Sequence, residues 1–285
     1  MAFLKRKIIT LDPRGRMGNR LQTAAYVMAY ALENDIDFLL LHFDKNNKWF
    51  FKHVCLIGIM KKIFKFISRY EFLCDTLKIS IITGSRNNPV VLTDTLFDAI
   101  IKESWITIIN GYFIYSHPYL LTTHYNSIHC HLSPILPDKK DIEQLVDKQK
   151  GPNSKLIGLH IRRGDYKSFK DGVHYFTFDF YGKIAESLIK NHINENFIFL
   201  ICSDEAIDKT AFNNLNWISG PGYPLGDIYA LSLCDYIMGP FSSFNRWSAY
   251  FGQVPRYEIT GQSSNLRLND FEYVKNLTYP ETSRK

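Results

Sequence analysis

Long apolar runs are missing from this chain of 285 residues. Nowhere do about eighteen apolar residues follow one another, so no segment reads as a membrane-spanning helix. The opening MAFLKRKIIT holds no apolar stretch of signal-peptide length. Cysteine is sparse. The five present, Cys55, Cys74, Cys130, Cys202 and Cys234, show no CxxC spacing, and three lie among apolar neighbours. That argues against a disulfide framework and for reduced thiols in a cytoplasmic protein, where the sequon at Asn276 carries no weight. Strong charge of one sign is also missing. With 34 Lys and Arg against 28 Asp and Glu, the net charge of +6 is mild, and the cations are scattered except around Lys5–Lys7 and Lys61–Lys65. This suits anionic ligands or a membrane surface, not duplex nucleic acid. No Asp-x-Asp signature stands at the carboxyl end of a strand, so no metal site is expected. What is present is globular composition, 46% hydrophobic and 22% charged, which excludes disorder as the main state and suffices for one large or two modest domains.

The first 41 residues read as β-loop-α-β. RKIITLD (6–12) is a strand and PRGRMGNR a loop. Leu21, Ala24, Ala25, Met28, Ala29 and Leu32 then recur at the spacing of one buried helical face, with Asn34 as C-cap before the strand IDFLLL (36–41). Signals weaken from 48 to 150. The Lys- and Phe-bearing run 52–70 predicts a helix of a lid or acceptor-side domain, with a membrane surface as the alternative. ITIING predicts a short strand. His129, Cys130 and His131, read as strand neighbours, point to opposite faces and make no metal site. KQKGPNSK (148–155) collects Gly, Pro, Asn and Ser and is the expected linker, dividing an amino-terminal domain, 1–150, from a carboxyl-terminal one, 151–285.

Beyond that linker strands and helices alternate. LIGLHI (156–161) has the length and aliphatic content of a buried strand. A helix from Phe178 presents Tyr181, Ile184, Ala185, Leu188 and Ile189, and the strand FIFLIC (197–202) ends in Ser203 and Asp204. GDIYALSLC reads as a helix, YIMG (236–239) as a strand, FNRWSAYF (244–251) as a helix closed by Gly252, and RYEIT as a strand. The pattern predicts a Rossmann-like α/β half, a parallel sheet with helices on both faces. Arg163, Gly164 and Asp165 spell RGD, but the triplet follows a core strand and an adhesive role is set aside. A salt bridge between an arginine and Asp165 is the plain structural reading.

Three polar segments, HIRRGDY, CSDE and GPFSSFN, fall on the carboxyl edge of this sheet, where open α/β sheets bind ligands. Arg162 and Arg163 offer planar donor forks for phosphate oxygens. Ser242 and Ser243, with the backbone amides that open the next helix, make a second anion cradle, so a diphosphate is held from two sides. In the first half Gly15, Gly18 and Asn19 lie between strand and helix, where glycine lets backbone amides approach a ligand. Asp204 keeps two readings. Its carboxylate can accept the adjacent N1–H and 2-amino donors of guanine, or cap a helix over EAIDKT.

Together these blocks resemble the inverting GDP-fucose-dependent fucosyltransferases, in particular the α-1,2-fucosyltransferases of glycosyltransferase family 11. HIRRGDY is similar to their HxRRxDY motif, DIYALSLCDYIMGPFSSFNRWSAYFG to their helix, strand and SSF segment, and GRMGNRLQTAAYVMAYA to their GxxGNQ loop and Ala-rich helix. The order is the family's, and 45–150 has no counterpart. Arg20 stands where the family has Gln, and Asn245, Arg246 and Trp247 where it has a small polar residue and two tryptophans.

The resemblance implies a GT-B-like α/β fold of two facing Rossmann-like domains, with the donor on the carboxyl-terminal one and no metal. It places Arg162 on the donor phosphates, His160 and Asp204 on guanine, and Ser242, Ser243 and Phe244 on the nucleotide. Arg162 would stabilise charge on the leaving diphosphate, and Asp165 is the candidate base unless it orients Arg162 or Arg163. The implied activity is transfer of L-fucose from GDP-fucose to a hydroxyl of an oligosaccharide or glycolipid, α-1,2 to a galactoside, by a cytoplasmic enzyme with optional peripheral membrane association and no nucleic-acid partner. The alternatives are another GDP-sugar or linkage on the same fold, and a noncatalytic nucleotide-sugar-binding protein, against which intact Arg162 and Asp165 speak.

Overall fold

The β-α-β opening forms as expected in the computed structural model, which describes residues 5–12, 15–41, 43, 54–67, 69–84, 90–92, 94–111, 113–115 and 118–277. Strand β1 (Lys7–Asp12) leads to α1 (Met17–Glu33), whose apolar face is buried, and Asn34 caps it before β2 (Asp37–Leu40). There follow α2 (Val54–Ile67), α3 (Glu71–Thr76), β3 (Ile79–Gly84), β4 (Val90–Leu92), α4 (Asp94–Glu103), β5 (Ile106–Gly111), β6 (Phe113–Tyr115), α5 (Tyr119–Thr123) and α6 (Tyr125–Leu132). The order β2-β1-β5-β3 makes one parallel sheet, and β4 pairs with β6. Met60, Phe64 and Ile67 of α2 pack on a core of Ile9, Leu11, Leu41, Cys74, Ile79 and Ile108. Residues 129–131 are helical, not extended as the sequence suggests. His131 Nδ1 donates to the Ser127 carbonyl one turn back (2.8 Å), and Cys130 is exposed. No group of three His, Cys, Asp or Glu converges as a metal site among the described residues.

The chain forms two compact units, Met1–Ile135 with Lys275–Lys285, and Leu136–Val274. Helix α7 (Lys139–Asp147) belongs to the second, where Tyr229 donates to Glu143 (2.6 Å). KQKGPNSK is therefore a turn and strand start inside that unit, with Ser154 donating to the Gln149 carbonyl (2.9 Å). A reversal between helix and strand has the same Gly, Pro and Asn content as a linker. At the other end Leu277 is fully buried in the first unit, and its amide donates to the Tyr26 hydroxyl (3.2 Å).

The second unit continues with β7 (Ser154–Ile161), α8 (Phe178–Asn191), β8 (Asn196–Ser203), β9 (Trp217–Ser219), α9 (Pro224–Ser232), β10 (Tyr236–Pro240), α10 (Ser243–Gly252) and β11 (Arg256–Ile259). Its sheet runs β11-β10-β7-β8-β9, all parallel. Both faces of β7 are covered, which is why its middle, Leu156 to Leu159, is apolar. Ile157, Leu159 and Ile161 meet Tyr181, Ile184, Ala185 and Leu188 of α8, while the intervening Gly158 faces Leu231 of α9. From β7 the chain builds outward to one side through β8 and β9, then to the other through β10 and β11. The order reverses between β7 and β10, and such a switch opens a crevice at the carboxyl ends of those strands.

Two details depart from expectation. EAIDKT is not a helix: after β8 the chain stays irregular to a short 3-10 turn, Lys209–Phe212, capped by Asp208. Gly252 does not end α10 by a left-handed turn, since Gln253 takes that conformation (φ 50°). Gly252 is required for space, because a Cβ there would lie 1.9 Å from the Ser232 carbonyl. Cys74, Cys202 and Cys234 are buried free thiols, and no helix among the described residues is long and apolar enough to cross a membrane.

Asp227, in the first turn of α9, is 6% exposed and accepts from the Gly222 amide (2.8 Å). Burial pushes its carboxyl up from 3.8 to about 6, against the opposing hydrogen bonds from Gly222 and Cys202. Folded protein therefore holds this proton more tightly than unfolded protein does. The stabilisation is full below the unfolded value and is lost as pH rises through about 6. Asp227→Asn keeps an acceptor for Gly222 and removes the titration. Relative to wild type its unfolding free energy should rise by roughly 2 kcal/mol between about pH 4.5 and pH 7.5, measured by denaturant unfolding. A difference that does not change with pH would rule the buried carboxylate out.

Candidate functional site

The loop that leaves β7 is held by ion pairs. Arg162 donates through Nε and Nη2 to both carboxylate oxygens of Asp165 (3.0 and 2.9 Å) and lies over the Tyr166 ring, 4.8 Å from its centre. Its Nη1 makes no hydrogen bond among the described residues. Burial works against the guanidinium charge, yet the Asp165 bonds, with Tyr166 and Asp204 nearby, hold its pKa above the usual value. The pair leaves one planar edge of Arg162 as a fixed donor. Both Asp165 oxygens accept from Arg162, an arrangement that orients the guanidinium.

Arg163 is enclosed differently. Its Nε donates to Glu205 (3.1 Å) and its Nη2 to the Tyr175 hydroxyl (2.6 Å), and the guanidinium stacks over Tyr175 and Phe178. Asp204, at the end of β8, accepts from the backbone amides of Arg163 (2.8 Å) and Gly164 (3.4 Å), both through Oδ1. It caps no helix. It clamps the β7 loop to β8, and Oδ2 is the oxygen without a backbone donor.

On the β10 side a buried polar relay fixes His160. The Asn245 amide accepts from Arg256 Nε through Oδ1 (2.8 Å) and donates through Nδ2 to the Pro240 carbonyl (2.9 Å). An arginine can only donate and a carbonyl only accept, so the amide orientation is determined. The same Nδ2 lies 3.2 Å from His160 Nδ1. Nδ1 must therefore be the acceptor, and the neutral ring carries its proton on Nε2. Burial, then the charges of Arg162 and Arg256, lower the His160 pKa to about 3, in keeping with that neutral form. The residue is 5% exposed and its ring stacks on Phe244 at 4.7 Å. Nε2 makes no hydrogen bond among the described residues. Arg256 is held in turn by Glu258 (3.0 Å), which also faces Arg246 (3.5 Å).

Ser242 is the N-cap of α10, its hydroxyl accepting from the Phe244 amide (3.2 Å), and Ser243 is the first helical residue. Tyr166 donates to the Phe241 carbonyl and ties the two loops together. His160, Arg162, Arg163, Asp165, Asp204, Ser242, Ser243 and Phe244 thus lie at the carboxyl edge of one sheet, around its switch point. Gly15, Gly18 and Asn19 belong to the first unit. Gly15 (φ +101°) opens the α1 loop where a Cβ would meet Asn19, and Arg20 donates to its carbonyl (3.2 Å). Pro13 and Arg14 of that loop lie outside the described residues. Sequence reading gave no role to Arg256, Glu258 or Tyr175, and reached Glu205 only as the last residue of CSDE. Arg256 and Glu258 share one face of β11 at i and i+2, the only local sign of their pairing.

No family model matches the chain, and no curated protein matches it. Solved structures do. Arabidopsis thaliana FUT1, as a point mutant in complex with GDP, shares 14% identity at a TM-score of 0.59, over 91% of this chain and 72% of that one. NodZ α-1,6-fucosyltransferase soaked with GDP-fucose shares 13% at 0.54, over 92% and 97%. Fucosyltransferase NodZ from Bradyrhizobium shares 14% at 0.50, over 90% and 97%. At these identities the likeness establishes the fold: α/β of the GT-B type, with Rossmann-like parallel sheets.

Asn245→Asp tests the relay. The carboxylate keeps Arg256 as partner but turns an acceptor toward His160 Nδ1, which must then take a proton. In ¹⁵N NMR of the ligand-free protein, wild-type His160 should show Nδ1 unprotonated and Nε2 protonated down to about pH 5, and the variant should show Nδ1 protonated. A protonated Nδ1 in wild type would overturn the assigned tautomer.

Proposed function

We propose that the chain is an inverting glycosyltransferase that moves L-fucose from GDP-fucose to a hydroxyl of a glycan, α-1,2 to a galactoside carried on an oligosaccharide or glycolipid. The observation that carries the reading is Arg162, braced by Asp165 with one edge left over, at the switch point of a fold shared with a structure soaked with GDP-fucose.

The chemistry follows from that placement. Breaking the bond between sugar C1 and the diphosphate develops negative charge on the leaving oxygen, which departs as GDP, while the acceptor oxygen bonds to the opposite face of C1 and releases its proton to water. A guanidinium fixed before the reaction stabilises that charge without reorganisation and takes the part of a divalent cation. Asp165 acts through Arg162 as a positioning residue. The amides that open α10, beyond the one held by Ser242, supply further donors for phosphate. Facing the nucleobase, His160 Nε2–H donates to an acceptor such as guanine O6, and Asp204 Oδ2 accepts from the donor edge. Arg163, between Glu205 and Tyr175, shapes the loop.

Incubation with a panel of GDP-sugars and galactoside acceptors, following GDP release, tests the donor and the reaction together. Release should be greatest with GDP-fucose and should persist in EDTA at close to the rate with Mg²⁺. Loss in chelator restored by metal would overturn metal independence, and binding of GDP-fucose without turnover on any acceptor would favour a noncatalytic binding protein. Arg162→Lys keeps the charge but loses the fork. Its turnover should fall on the order of 100-fold, about 2.7 kcal/mol of transition-state stabilisation. Near wild-type turnover would place the phosphate elsewhere.

A further inference from the structure

Helix α2 carries three sectors in succession around its axis. Met60, Phe64 and Ile67 pack on the core of the first unit. Beside them Ile59, Ile63 and Phe66 form a second apolar row, exposed at 56%, 50% and 57%. The row is prolonged by Tyr70 and Phe72, exposed at 44% and 67%, with the Tyr70 ring 5.0 Å from that of Phe66. On the far side of the exposed row come Lys62 and Lys65, with Arg69 just past the helix end, all exposed. From Val54 to Tyr70 the sequence holds four cations, counting Lys61, and no acid. Core packing accounts for only half of the apolar arc.

We propose that this face of α2 docks on an anionic lipid bilayer. The charge decides the occupant. Exposed Ile and Phe edged on one side by cations is the order of a helix lying in the membrane interface, apolar residues entering the acyl boundary and ammonium groups meeting headgroup phosphates. The aromatic cluster at its carboxyl end suits the headgroup level. With 14 residues the helix is too short to cross and lies along the surface. Nothing in this inference depends on the donor or on the crevice of the second unit, so the two readings stand or fall separately.

Vesicle flotation tests it on the full chain. The protein should float with phosphatidylcholine vesicles containing phosphatidylglycerol, float far less with phosphatidylcholine alone, and release as salt is raised. Ile63→Ser with Phe66→Ser removes exposed apolar groups without touching the core, and Lys62→Glu with Lys65→Glu reverses the cationic edge. Each double variant should lower partitioning on the order of 10-fold or more, with unchanged circular dichroism. No flotation with anionic vesicles would overturn the proposal, as would equal flotation with neutral vesicles. So would a wild-type dimer in sedimentation that the Phe66 variant dissolves without vesicle binding, which would make a second copy the occupant.

Discussion

One amide group, that of Asn245, governs how the edge of the second sheet is assembled. Arg256 donates to its oxygen and the Pro240 carbonyl accepts from its nitrogen, so its orientation is determined before any ligand arrives. The protonated nitrogen of His160 follows from that orientation. The same bonds join four elements, since Arg256 opens β11, Pro240 closes β10, Asn245 lies in α10 and His160 in β7. A buried polar network of this kind is stable only when each member is satisfied, because an orphaned group carries the full cost of its desolvation. The packing of these elements and the chemistry their edge presents are therefore one constraint.

The opposite wall of the crevice is held by carboxylates. Asp204 secures the backbone of Arg163 and Gly164, Glu205 secures the Arg163 side chain, and Asp165 secures Arg162. Fixed donors of this sort need no rearrangement when charge develops in front of them, which is the condition for strong electrostatic stabilisation.

The strands of the second unit were legible because a parallel strand covered on both faces must be apolar through its middle, as β7, β8 and β10 are, and their polar ends marked the crevice. Helix α1 was legible from its periodicity. The misses are those where distant groups override local preference. Asp204 stands where a helix cap belongs, but it is drawn to amides 41 and 40 positions earlier and EAIDKT forms no α-helix. Asn245 was visible only as a departure from the family pattern, since its partners come from three strands. Gly252 reads as a helix end, yet the Ser232 carbonyl, brought against it by helix packing, is what excludes a side chain. The residues at 129–131 give too short a period to separate helix from strand.

Leu277 is buried against Tyr26, 251 positions earlier, so the first unit is discontinuous while the second runs unbroken from Leu136 to Val274. During synthesis the order of completion is then the reverse of the order of initiation. The second unit has all its strands before residue 277 is made, whereas the Tyr26 hydroxyl waits for Asn276 and Leu277. Closing so long a span is entropically costly and slow. The unit begun first on the ribosome is thus finished last, and until then it is the half of the chain exposed to misassociation.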